Sequence, residues 1–68
     1  MNEKTLGQER VRIDFNVTGS DAITDIKRRS AELIDLCEPL KSKDARLAAL
    51  AQTCFEEGAM WAVKAATA

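Results

Sequence analysis

The side chains best suited to chemistry in this chain are cations. Lys27, Arg28 and Arg29 run together, and Arg10 and Arg12 alternate with apolar residues in the stretch RVRIDFNV, residues 10–17. At about 100° per residue on a helix, Lys27 and Arg29 fall on opposite edges of an apolar stripe, while Arg28 points away from it. A long cation at such an edge can lie over a core or reach a pocket at a subunit boundary. The chemistry this suggests is anion binding without catalysis, with cations held at a seam where a phosphate is partly desolvated. The plainer reading is a solvated helix face whose cations pair with Asp25 or Glu32.

The remaining reactive groups lead away from an enzyme. Glu56 and Glu57 are neighbours, so on a helix they point about 100° apart and make a surface pair rather than an acid/base couple. Cys37 and Cys54 sit at apolar helical positions and read as buried thiols, and with no His in the chain the ligands for a zinc site are missing. Trp61, on an apolar helix face, reads as a core or interface anchor. There is no Gly-rich phosphate loop, no nucleophile with its base and no metal spacing, so neither catalysis nor a cofactor is expected.

The elements that must hold these cations follow from periodicity. Residues 1–9 are polar, interrupted by Gly7, and should be mobile. Residues 10–19 form an arm in which Val11, Ile13, Phe15 and Val17 alternate with polar residues, the period of an extended chain with one face buried. Ser20 is a good N-cap with Asp21 in the first turn, which starts a helix over 20–40. Its stripe is Ile23, Ile26, Ser30, Leu33, Cys37 and Leu40, and Pro39 frays or kinks its end. A short polar connector, with Ser42 or Asp44 as the next cap, favours an antiparallel second helix over 43–66. That helix has an apolar arc of about half its circumference, including Leu47, Leu50, Cys54, Gly58 and Trp61. Its polar side carries Arg46, Thr53, Glu57 and Lys64 in one row, with Gln52 and Glu56 beside them.

A single chain of 68 residues cannot bury such an arc with one narrow partner stripe. The fold class expected is therefore an all-α antiparallel hairpin with an N-terminal extended or irregular arm, assembling as a homo-oligomer. The polar N-terminus does not resemble a signal peptide, and no run is long enough to span a membrane. A net charge of −1 and a pI of about 5.3 give no global attraction to nucleic acid polymers or anionic membranes.

The segments at 25–27 (Asp-Ile-Lys), 31–34 (Ala-Glu-Leu-Ile) and 57–67 (Glu-Gly-Ala-Met-Trp-Ala-Val-Lys-Ala-Ala-Thr) resemble a family of very small phage proteins. These are the anti-CBASS sponge proteins of the second type, whose helical hairpin is shared with a Thoeris anti-defence family. The resemblance covers roughly residues 10–67. It implies a homohexamer in the cytoplasm of the infected bacterium that binds cyclic oligonucleotide signals between protomers and sequesters them without cleavage, blocking CBASS immunity. In the family a lysine of the first helix meets the phosphates, which carries over to Lys27. An aromatic of the arm stacks on a base, and here its neighbourhood holds no aromatic, so Phe15 or Arg12 is the substitute, with Arg10 beside them. Arg29 and Lys64 are the candidates for a separate cyclic trinucleotide site.

Two other classes fit parts of the pattern. The order strand, helix, helix is that of a ribbon-helix-helix DNA-binding regulator, against which stand the length of the first helical pattern and the slightly negative charge. A purely structural, partner-binding phage protein would use the same apolar arc and take no small ligand.

Overall fold

The computed structural model describes residues 3–12 and 21–68. They form three α-helices: α1 (Leu6–Arg10), α2 (Asp21–Cys37) and α3 (Ala45–Ala66), with a 3-10 turn at Pro39–Ser42 between the last two. No strand occurs among the described residues. The fold is the all-α hairpin that the sequence implies. Of the arm, Ile13, Phe15, Val17 and the expected cap Ser20 lie outside the described residues.

The N-terminal stretch is the first departure from expectation, because residues read as mobile carry a capped helical turn. Thr5 Oγ1 accepts from Gln8 N at 3.1 Å, and Gln8 Oε1 accepts from Thr5 N at 2.9 Å, a reciprocal capping box. Five helical residues are far too few to persist alone. What holds α1 is contact with α2. Gly7 is buried, and a Cβ placed on it would lie 2.0 Å from the Ala31 carbonyl oxygen, so only glycine permits this approach. The Gly7 N–H, one of the unpaired donors of the first turn, donates to Asp35 Oδ1 at 2.7 Å.

One turn later Val11 caps α1 and enters the core with Ala31, Ile34 and Ala59, against which Ile26 and Phe55 pack. Val11 is the one apolar position of the expected arm that lies among the described residues. Arg10, read as the arm's first residue, is instead the last helical residue of α1.

Pro39 sets the turn between α2 and α3. Lacking an N–H, it cannot bond the Asp35 carbonyl, which accepts from Glu38 N at 3.2 Å instead. That leaves the Ile34 carbonyl without its helical partner, and Gln52 Nε2 supplies one at 3.0 Å. The same amide donates to Glu38 Oε1 at 2.8 Å, where Lys41 Nζ also binds at 2.7 Å. These bonds, first from Gln52 and then from Lys41, hold the Glu38 carboxyl below its ordinary pKa. Gln52, expected on the polar side of the second helix, is therefore 1% exposed because it caps α2 from across the hairpin. The helices accordingly end at Cys37 and begin at Ala45, short of the expected 40 and 43, with Asp44 Oδ1 capping α3 by accepting from Leu47 N at 2.9 Å.

Two further expectations are corrected. The buried line of α2 runs through Ala31, Ile34 and Cys37, while Leu33 and Leu40 of the expected stripe are exposed. The shift arises because α1 and α3 both pack on α2 and share the Ala31–Ile34 side. Cys37 is buried as read, but Cys54 is exposed. It lies with Leu47, Leu50, Gly58 and Trp61 on a stripe of α3 that no described part of the chain covers, Trp61 being 60% exposed.

Replacing Gly7 tests this docking. Gly7→Ala forces the methyl against the Ala31 backbone and should lower stability by roughly 1–3 kcal/mol in urea unfolding followed by circular dichroism. An unchanged midpoint would show that α1 does not pack here.

Candidate functional site

The register of α1 on α2 brings the end of α1 over α3, and a cavity of about 560 Å³ opens between them. That lies within the range of roughly 300–1,000 Å³ usual for small-ligand sites. Arg10, Val11 and Arg12 form one wall, Lys27 of α2 another, and α3 supplies the rest from Thr53 to Lys64.

Each wall has its own chemistry. Arg10 donates from Nε to Glu56 Oε1 at 2.8 Å and from Nη2 to Thr53 Oγ1 at 3.3 Å, so its guanidinium ties α1 to α3. Glu56, read from the sequence as plain surface, is the other half of that strut, with its side chain 40% exposed. Ala59, Met60 and Val63 make an apolar floor. Lys27 Nζ donates to the Arg12 carbonyl oxygen at 3.4 Å, and the ammonium keeps further donors for a ligand. Lys64 stands at the far end of the floor, its Nζ 5.7 Å from the Trp61 ring centroid.

The lining holds Arg10, Arg12, Lys27 and Lys64 against Glu56 and Glu57, four cations to two carboxylates, a surplus of two positive charges. What this arrangement can do is hold an anionic ligand over an apolar surface. Of the residues singled out from sequence, Lys27, Arg12, Arg10 and Lys64 are brought together. Arg29 does not line the cavity: its Nε lies 3.6 Å from Asp25 Oδ2, and Arg28 shares the same carboxylate at 3.7 Å. For those two cations the plainer reading, helix-face pairing with Asp25, describes the geometry. Phe15 lies outside the described residues.

The helical period puts Thr53, Glu57 and Lys64 on one row of the second helix but assigns no role to Met60. It lies on the same side, 52% exposed, and a large apolar side chain among polar neighbours is the signal that could have found it.

Arg12 has φ 59°, the one non-glycine residue with positive φ among those described. It follows the C-cap of α1, and its N–H bonds the Glu9 carbonyl at 3.2 Å, the place where glycine usually ends a helix. Arginine there is strained by roughly 1–2 kcal/mol, and such strain collects where a side chain is needed for binding. Arg12→Gly should therefore leave thermal stability within about 1 kcal/mol, whereas Arg12→Val should lose roughly 1–2 kcal/mol. Equal losses in the two variants would contradict the left-handed turn.

The comparisons with known proteins agree with this hairpin. No curated protein and no solved structure gives a match. A family model described as Acb2/Tad1, hairpin domain, matches residues 7–67, nearly the whole chain and every described wall of the cavity. The protein belongs to the Acb2/Tad1 hairpin domain family.

Proposed function

We propose that this protein is a phage anti-defence sponge that binds cyclic oligonucleotide second messengers, cyclic dinucleotides first among them, and sequesters them without cleavage, so that CBASS signalling in the infected cell is starved of its messenger. The observation that carries this reading is the cavity's combination of an apolar floor with a surplus of two positive charges. A cyclic dinucleotide offers the complement: two phosphates, and two flat bases to lay on the floor. Family membership supports the same role.

Lys27 and Arg12 are the phosphate contacts of this reading, with Lys64 extending the basic rim. Arg10 acts mainly by holding the wall, since its guanidinium is engaged by Glu56 and Thr53. Arg12 also takes over the base-stacking part of an arm aromatic, for a guanidinium plane stacks on bases. Cyclic trinucleotides are a further ligand class, with Arg29 and Lys64 as the residues in question.

The working form is a homo-oligomer, a hexamer in this reading. Supporting it is the apolar surface left on one chain, where Leu36, Leu47 and Trp61 are each more than half exposed. Gly58 lies in the middle of α3, and a Cβ placed on it would meet nothing within 4 Å, although glycine there costs about 1 kcal/mol relative to alanine. Close approach of a second backbone would account for it.

Titration calorimetry with cyclic dinucleotides tests the reading. A charge-assisted phosphate contact contributes about 1.5–3 kcal/mol, so Lys27→Ala should weaken binding roughly ten- to a hundredfold. Light scattering should show the same oligomer as the parent, and the ligand recovered after denaturation should be intact. Absence of binding at tens of micromolar, or equal affinity in the variant, would defeat the assignment.

A further inference from the structure

We infer that Glu57 selects guanine in the bound ligand, an inference that rests on the reading of this cavity as a cyclic dinucleotide site. The two carboxylates in the lining differ in one respect. Glu56 is held by Arg10, whereas the Glu57 side chain makes no hydrogen bond or ion pair among the described residues. An uncommitted carboxylate repels phosphate, so the part of a dianionic ligand it can accept is one that donates protons. On a nucleotide those donors are on the base edge.

The bases differ sharply in what they can offer there. Guanine presents its imino and amino N–H groups side by side, a fork that matches the two oxygens of a carboxylate as a guanidinium does. Adenine and cytosine set one donor beside an acceptor, and uracil sets one donor between two acceptors, each of which leaves a carboxylate facing a lone pair. Discrimination comes from that mismatch as much as from the match.

The rest of α3 is ordered to suit a nucleotide. Met60 follows Glu57 by three residues and Lys64 by seven, so carboxylate, thioether and ammonium succeed one another along the same side of the helix. Seven residues at 1.5 Å each span about 10 Å, comparable with the reach from the edge of a base to its phosphate. Met60 supplies a soft apolar surface for the face of the base. Lys64 then lies on the phosphate side.

Calorimetry with cyclic di-GMP, cyclic di-AMP and cyclic di-UMP, on the parent and on Glu57→Gln, decides the matter. The parent should bind cyclic di-GMP about tenfold or more tightly than the other two, the discrimination expected of a bidentate base contact. Glu57→Gln should bring cyclic di-GMP and cyclic di-AMP level or invert their order, since an amide pairs with adenine. Cyclic di-AMP should bind the variant at least as tightly as the parent, which also shows that the exposed substitution leaves the fold intact. A parent without guanine preference, or a preference that survives in Glu57→Gln, overturns the inference and leaves the sponge reading standing. If none of the three ligands binds the parent, the sponge reading falls and this inference falls with it.

Discussion

The approach of Gly7 to the backbone of Ala31 is the constraint on which the candidate site depends. With no Cβ between them, α1 lies directly on α2, and the Asp35 carboxylate meets the Gly7 N–H to fix where along α2 it rests. Once that register is set, the following residues have little choice. Val11 falls into the core, Arg10 reaches Glu56 across the hairpin, and the chain leaves α1 through a left-handed Arg12 whose carbonyl is held by Lys27. One close contact between two short stretches of backbone thus assembles a wall that α2 and α3 alone would lack.

The opposite end of the hairpin is organised by a different necessity, the carbonyl that Pro39 strands. Gln52 answers it from α3 and ties Glu38 and the connector to the same point. Between these two fixtures the hydrophobic core is thin, with Ile34 its one large, fully buried apolar side chain among the described residues. Each exposed leucine of the Leu36, Leu47 and Leu50 surface, already partly buried, would contribute roughly 1–2 kcal/mol more if covered. This gives a physical motive for assembly, on a face of α3 that adjoins the cavity where Lys64 of the lining meets the Trp61 ring.

Much of the scaffold was legible in the sequence because helical periodicity and caps are local signals. Asp44 as a cap, the break at Pro39 and the hairpin itself follow from residues within a turn or two of one another. Lys27 was singled out at the edge of a stripe through Ile26 and Ser30, whereas the row that packs, through Ala31 and Ile34, runs on to Lys27 itself, where the core gives way to the cavity. What could not be read depends on partners distant in sequence. Gly7 looks like a breaker until Ala31 is beneath it, Gln52 looks like surface until the Ile34 carbonyl needs a donor, and Glu56 looks like surface until Arg10 arrives. Cys54 and Leu33 were misplaced because periodicity identifies an apolar face but does not say which neighbour covers it.

In the proposed role the nucleotide binds where the end of α1 meets α3. Nuclear magnetic resonance of the labelled protein, titrated with a cyclic dinucleotide, tests this residue by residue. The largest amide shifts should fall at Arg10, Val11, Arg12, Lys27 and Lys64, with the Pro39–Ser42 turn nearly unmoved. Shifts confined to Leu36, Leu47 and Leu50, on the uncovered face, would contradict it.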